Sequence, residues 1–202
     1  MALVSPISDK TRIFRGAVVE SLEVMWDKTV EAGRRHATLT VVTAYTEEVV
    51  AATPSSLTAY GGTFSYMRTM TATKSIGGDV VVLGKVGYKI TNPVRFIGQQ
   101  GANGEPEMIA RAIPSVDVKI MGSVKYDTNT ETWWEDHRAG TSFAVEISDN
   151  ATWASATSGF KAGACKMTSE PAPADTEDGA FIDFELTATD DLSNDLIQIV
   201  PG

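Results

Sequence analysis

The chain has two histidines, the side chains best suited to act as a general base or a metal ligand near neutral pH. His36 follows two arginines at the start of a predicted strand, with no carboxylate or serine at a useful spacing. His137 stands in WWEDHR, where Glu135, Asp136 and His137 are consecutive and cannot share one helix face. The GxSxG, HExxH, CxxC and phosphate-loop patterns do not occur in the sequence. We therefore expect a protein that is not an enzyme and assign no catalytic residue.

One acidic turn comes close to a metal-binding spacing. Asp191, Ser193 and Asp195 have the one-three-five spacing of a calcium loop. An EF-hand also needs glycine at position six and glutamate at position twelve, where this chain has Leu196 and Gly202. The turn is interpreted as an acidic surface turn, and the sequence predicts no metal and no cofactor.

Cysteine usage and apolar runs indicate the compartment. Cys165 is the only cysteine, which excludes a disulfide framework, and its strand-like surroundings predict an inert, mostly buried thiol. The N-terminal residues MALVSPISDKTRIFRG lack the pattern of a secretory signal. No apolar run approaches the roughly 18–20 residues of a membrane span. We expect synthesis and folding in the cytosol, without a membrane partner.

The elements that would position any site are strands, because apolar and polar residues alternate along most of the chain. The clearest case is 180–188, whose outer face carries Asp183 and Glu185 and is also assigned Phe181. This pattern predicts a half-buried strand with an acidic outer side. The other predicted strands are 17–26, 37–44, 64–73, 79–90, 93–98, 116–126, 143–147, 160–168 and 196–200.

Turn signals and two short helices complete the predicted fold. Thr46 is predicted to cap a helix in EEVVAAT, and Thr130 one in ETWWEDHRA that Gly140 ends and Trp133 or Trp134 anchors. Asn103-Gly104 is predicted as the tip of a hairpin. Further turns are predicted at Gly61-Gly62, Gly77-Gly78, Gly159 and Pro171-Ala172-Pro173. The predicted fold class is all-β, a single sandwich or barrel domain over residues 1–202 with one or two short helices.

Residues 54–78 differ in character, since large apolar side chains are scattered among Ser, Thr and Gly without a core face. Two interpretations stay open: a long loop that becomes ordered against a neighbouring subunit, or an ordinary edge hairpin. Under the first, the candidate subunit-contact residues are Tyr60, Phe64, Tyr66, Met67 and Met70.

Charge is divided unevenly along the chain. Residues 1–101 hold 11 Lys or Arg and 8 Asp or Glu, whereas residues 102–202 hold 6 and 18, so the halves carry +3 and −12. An isoelectric point near 4.7 argues against a protein that grips phosphates. The positive charge near the N-terminus, with Arg12 and Arg15, is therefore a candidate basic interface to the acidic half of a neighbour.

Three stretches of the sequence resemble the major tail tube proteins of long-tailed (siphovirus-type) bacteriophages. FRGAVVESLEVMWDKTVEAG resembles the opening strand and turn of that family. VDVKIMGSVKYDTNTETWWEDHRAGTSFAVEIS resembles its strand, short helix and strand unit. FKAGACKMTSEPAPADTEDGAFIDFELTATDDLSNDLIQIV resembles its closing section. Together they cover roughly half the chain, and residues 46–112 are not matched.

The resemblance implies a β-sandwich or barrel of tail-tube type with long inter-subunit loops. It also implies hexameric rings that stack into a tube in the virion tail, assembled in the host cytoplasm with the tape measure protein and other tail proteins. DNA would pass through the tube without specific binding, past an acidic wall. Asp183 and Glu185 are the candidate lumen-facing acids, since carboxylates repel phosphates.

A different function class stays open beside this one. A carbohydrate- or ligand-binding β-sandwich could use Trp133, Trp134 and Trp153 as stacking platforms. The competing interpretation of these tryptophans is core or interface packing.

Overall fold

The computed structural model describes residues 2–4, 10–15, 17–30, 33–43, 45–50, 73–100, 106–111, 116–176, 179–190 and 195–201. Strands make up 62% of the structure, with one α-helix, which confirms the all-β class. The described strands are β1 (Ala2–Val4), β2 (Lys10–Arg15), β3 (Val18–Asp27), β4 (Arg35–Val42), β5 (Tyr45–Val50), β6 (Thr73–Ile76), β7 (Asp79–Val80), β8 (Leu83–Thr91), β9 (Val94–Gln100), β10 (Pro106–Arg111), β11 (Asp117–Lys125), β12 (Ser142–Ser148), β13 (Ser158–Met167), β14 (Ala172–Thr176), β15 (Gly179–Ala188) and β16 (Gln198–Pro201). The helix α1 is Trp133–Ala139, and a 3₁₀ turn covers Trp153–Ser155.

An eleven-stranded antiparallel sheet dominates the architecture and does not close on itself. Its strand order is β4-β3-β8-β11-β15-β13-β12-β6-β7, with β14 added to β15 and β16 added to β13. Within the described strands, β4 and β7 are the ends of this path, and the added strands β14 and β16 also have one neighbour each. A three-stranded sheet, β1-β2-β5, and a β9-β10 hairpin are separate from it.

The chain groups into two compact units, each assembled from three segments. One unit consists of Met1–Leu22, Leu39–Gly62 and Thr91–Val116, and includes the three-stranded sheet and the β9-β10 hairpin. The other consists of Glu23–Thr38, Thr63–Ile90 and Asp117–Gly202. The prediction of one domain over residues 1–202 stays a prediction.

The core of the second unit is aromatic and aliphatic. Trp133, 1% exposed, sets its ring edge-on to Phe143 of β12 and Phe184 of β15, at 5.9 and 5.6 Å between ring centres. Tyr88 of β8 meets Phe160 of β13 at 5.2 Å. Burying rings of this size is among the largest favourable contributions a small core can have.

Helix α1 confirms one of the two predicted helices, with a later start. Its N-cap is Thr132, whereas the predicted cap Thr130 is buried and its hydroxyl accepts a hydrogen bond from the Asp127 amide at 3.0 Å. Gly140 ends the helix in the left-handed conformation at φ 67°, as predicted. Trp133 is the residue that anchors the helix in the core.

The other predicted helix is wrong, because Tyr45–Val50 forms strand β5 instead. Thr46, its predicted cap, pairs with Phe14 across the β2-β5 ladder. The β-branched Val49 and Val50 favour a strand, and a ladder to β2 satisfies backbone groups that a single helical turn would leave open.

Three turn or strand assignments also change. The predicted turn at Pro171–Pro173 leads into β14, which pairs only with β15 among the described strands, a position that tolerates proline. Gly159 lies inside β13, where a Cβ would stand 2.5 Å from the Ile147 carbonyl oxygen. The predicted strand 79–90 is interrupted between β7 and β8. The other predicted strands outside 64–73 are confirmed with shifts of a few residues, and 64–72 lies outside the described residues.

Two predicted turns can be compared with the structure in detail. Gly77 and Gly78 join β6 to β7 with φ of 69° and 94°, values that an L side chain rarely adopts. β9 and β10 pair antiparallel with Gln100 opposite Pro106, as a hairpin requires. The predicted hairpin tip, Asn103-Gly104, lies outside the described residues.

Candidate functional site

A charged face runs across β3, β8, β11 and β15, on the side opposite the core. Alternation along each strand produces it, because residues next to buried positions point away from them. In β15, for instance, Phe184 and Leu186 are buried while Asp183 and Glu185 lie half-exposed on the outer side. We call this surface the charged face; its ionisable members are Glu23, Asp27, Lys85, Lys89, Asp117, Lys119, Lys125, Asp183 and Glu185.

Glu185, one of the two candidate lumen-facing acids, is paired with a lysine. Lys119 of β11 donates a hydrogen bond to Glu185 Oε1 at 2.8 Å, and the Thr168 hydroxyl donates to the same oxygen at 3.2 Å. The hydrogen bond from Lys119 lowers the pKa of Glu185, against the opposing effect of burial. The same bond raises the pKa of Lys119. Both groups therefore remain charged over a wider pH range than isolated side chains.

Asp183, the second candidate acid, also faces a lysine. Its Oδ1 lies 3.2 Å from Lys85 Nζ, across β11, where the buried Ser123 is the register partner of Asp183. This oxygen is itself buried and makes no hydrogen bond, so the attraction is Coulombic. With 40% and 46% of the two side chains exposed, the pair contributes at most about 1 kcal/mol.

The charged face is therefore mixed in sign. A third pair joins Lys89 of β8 to Glu23 of β3 at 3.6 Å. On this face of the four strands, five carboxylates stand against four lysines, so the negative excess is a single charge. The structure thus places a lysine beside each of Asp183 and Glu185, which the alternation along β15 alone did not predict.

Phe181 lies on the outer side of β15, as predicted for 180–188. Its ring is nevertheless buried, with 4% exposed, so this face is not exposed along its whole length. Lys28 Nζ covers the ring at 5.2 Å from its centre, and a Cβ on Gly84 would lie 3.1 Å from it. Ala180, assigned to the apolar face, is exposed because it is near the start of the strand. A depression of about 200 Å³ lies beside Phe181 and Asp183.

A second depression, of about 310 Å³, lies on β6, β12 and β13 and includes Glu146, Lys161 and Gln198. Lys161 and Glu146 are register partners, and Gln198 donates a hydrogen bond to Asp195 at 3.1 Å. Lys161 Nζ stands 4.9 Å above the Trp153 ring, a cation–π contact. The lining is open and mixes polar with apolar atoms, and none of its described residues is an aromatic platform for a sugar.

The tryptophans proposed as stacking platforms have other contacts. Trp133 is buried in the core. Trp134 is half-buried with its ring 5.9 Å from that of Tyr126, edge to face. Trp153 has Lys161 over its ring, as described above. Packing is thus the principal role of Trp133.

The remaining predicted site residues are placed only in part. Tyr60, Phe64, Tyr66, Met67 and Met70 lie outside the described residues. Arg12 and Arg15 belong to β2, where their register partners in β5 are Glu48 and Tyr45. Their proposed role as a basic interface stays a prediction.

Cys165 is fully buried, which confirms the predicted burial, and burial raises its pKa to about 12; its inertness stays a prediction. Within the described ranges, no group of three or more His, Cys, Asp or Glu side chains could hold a metal ion. Residues 191–194 of the acidic turn lie outside those ranges. The helices in the described part of the chain all lack the length or the apolar character needed to cross a membrane.

Comparison of the sequence with protein-family models and with curated proteins gave no match. The functional interpretation therefore rests on the geometry above and on the resemblance seen in the sequence.

The sequence analysis did not identify Lys85 and Lys119 as members of the candidate site, where they pair with Asp183 and Glu185. Alternation already placed Lys119 on the polar side of its strand. What the sequence did not provide was the register of β11 against β15. In this register Met121 lies opposite Glu185, so Lys119 reaches Glu185 diagonally.

Proposed function

We propose that this chain is a virion structural protein, the subunit of a bacteriophage tail tube. Six copies form a ring, the rings stack into a tube, and DNA leaves through the lumen without specific binding. Its partners are further copies of itself, the tape measure protein and other tail proteins. The all-β, sandwich-like fold is observed, whereas the assembly into rings and the location in a virion tail are what we propose.

The observation that carries the proposal is the open sheet. The antiparallel sheet is open, and its end strand β4 has one neighbour among the described strands, so its outer edge is one that a monomer would need to protect. A ring of copies removes such edges when the sheets join head to tail. The three resembling stretches in the sequence support the same assembly.

The charged face suits the wall of a DNA channel. Its carboxylates outnumber its lysines, so the surface repels phosphates weakly. Lys85 and Lys119 are held by Asp183 and Glu185, which keeps the ammonium groups from gripping the DNA backbone. A slightly negative wall, on which three of the four lysines are paired with carboxylates, lets a polyanion slide.

Negative-stain microscopy of the purified protein tests the assembly. We expect rings or tubes of six-fold symmetry, alone or with tail partners. A chain that stays monomeric at high concentration, and adds to no tube in the presence of those partners, contradicts the proposal.

The wall can be tested separately in assembled tubes. The double variant Asp183→Asn/Glu185→Gln releases two lysines and should make tubes retain DNA in a salt-dependent way. The double variant Lys85→Gln/Lys119→Gln is the matched control, and its tubes should retain no DNA. Equal behaviour of the two would place the charged face away from the lumen.

A further inference from the structure

An apolar patch lies at the β7 end of the sheet. Val80, Val82 and Tyr126 are 71%, 49% and 47% exposed, whereas Val81 between the valines is 1% exposed. Alternation therefore points Val80 and Val82 to the same side. We call these three side chains the β7 patch.

Hydrogen bonds hold the β7 patch together as a surface. The Val80 carbonyl accepts from Asn129 Nδ2 at 3.2 Å, and the Val82 carbonyl accepts from the Lys125 amide at 2.8 Å. The segment 80–82 is thus bonded alongside 125–129, next to Tyr126. Trp134 supports the Tyr126 ring from behind, at 5.9 Å. The patch is fixed by the fold and does not require a rearrangement to bind.

The border of the β7 patch has an acidic excess, with three acids and one base, the exposed Lys125 that precedes Tyr126. Asp79 precedes Val80 and is exposed; Asp127 follows Tyr126; and Glu131, also exposed, donates its amide to the Asp127 carbonyl at 3.1 Å. An apolar centre with an acidic border fits a partner that has an apolar residue beside basic ones.

The other end of the same sheet has that character. β4 begins at Arg35, preceded by Arg34, and carries Leu39, 53% exposed. The Arg35 guanidinium lies over the Trp26 ring, 5.9 Å from its centre. β4 is also an end strand, so its outer edge can pair with another chain.

We propose that the β7 patch docks the β4 strand of a second copy of this chain, in a head-to-tail contact. The choice of a second copy as the partner rests on the proposed function. The contact is heterologous, so each copy uses one surface at each end, and repetition leads to a ring or an open chain.

The test measures self-association by sedimentation of full-length protein, with circular dichroism to confirm folding. Val80→Asp and Leu39→Asp each place a carboxylate on a surface that would be desolvated in the proposed contact. Each variant should therefore raise the dissociation constant at least about tenfold. Val30→Asp, at a turn residue that is 43% exposed outside the patch, is the matched control and should leave it unchanged.

Mixing the two variants identifies the geometry. Leu39→Asp keeps an intact β7 patch and Val80→Asp keeps an intact β4, so an equimolar mixture should form a heterodimer and no larger species. Normal association of Leu39→Asp alone would indicate that β4 is not the partner and would overturn the proposal.

The outcomes separate this inference from the proposed function. Rings or tubes that form equally well from Val80→Asp overturn the docking surface and leave the tail-tube proposal standing. In another outcome, the wild type associates without making rings or tubes and the two variants lose that association. This result supports the docking surface and contradicts the tail-tube proposal. A wild type that never associates overturns both.

Discussion

The ring of Trp26 in β3 is stacked on the ring of Phe160 in β13, with 6.1 Å between their centres and 23° between their planes. Three strands, β8, β11 and β15, separate β3 from β13 in the sheet order. At about 4.8 Å per strand, a flat sheet would hold the two backbones about 19 Å apart. The sheet must therefore fold over on itself, and these two rings meet inside the resulting sandwich.

Truncating one of these rings should destabilise the protein strongly. Phe160→Ala removes a side chain that is 0% exposed and should lower the free energy of unfolding by about 3–5 kcal/mol in urea titrations. A double-mutant cycle with Trp26→Leu should show a coupling of about 0.5–1.5 kcal/mol. Val30→Ala, at an exposed turn residue outside the proposed contact surfaces, is the control and should change stability by less than about 0.5 kcal/mol. Additive effects of the two ring substitutions would argue against the stack.

The Lys119–Glu185 pair should make stability depend on acid pH. Because Lys119 lowers the pKa of Glu185 below its ordinary 4.5, the folded state favours the carboxylate, and the stabilisation is present above pH 4.5. It is lost as pH falls through the lowered pKa. For a pair about one-third exposed, we expect about 0.2–1 kcal/mol.

Thermal unfolding of wild type and Lys119→Met between pH 7 and pH 3 measures this effect. The difference in stability between the two proteins should shrink as pH falls below 4.5. Lys125→Met, an exposed lysine on the same strand, should show no such pH-dependent difference. A constant difference for Lys119→Met at all pH values would mean that the pair has no linkage to the Glu185 proton.

Gly122 should not tolerate a side chain. A Cβ there would lie 2.4 Å from the Lys85 carbonyl oxygen, a backbone atom that can move only if β8 and β11 separate. Gly122→Ala should therefore cost about 1–3 kcal/mol of stability by chemical denaturation. Lys125→Ala, at the exposed end of the same strand, should be nearly neutral. An unchanged denaturation midpoint for Gly122→Ala would mean that the strands lie farther apart.

Cys165 should react with thiol reagents only when the protein unfolds. Burial raises its pKa to about 12 and removes access, so little thiolate is present at pH 8. Alkylation of native protein should be at least about a hundredfold slower than in denaturant, as followed by mass spectrometry. Similar rates in the two conditions would place the thiol at the surface.

The local sequence pattern alone was enough to predict most strands of the second unit, because each has one buried face and one solvent-exposed face. It also located Gly140 as the helix end and limited the helix anchor to Trp133 or Trp134, of which the structure buries Trp133. It placed Phe181 on the correct side of β15 but did not predict its burial, which depends on Lys28 and Gly84 from other strands and turns. It also misassigned Thr46, since the choice between a short helix and a strand was decided by the ladder to β2.

By itself, the sequence determined the all-β class, the acidic balance, the buried cysteine and the outward position of Asp183 and Glu185, because these follow from composition and a two-residue period. Only the tertiary structure decided that each of those acids meets a lysine and that the sheet folds over Trp26 and Phe160. Register and strand order bring together residues that are distant along the chain, and no local period encodes either of them.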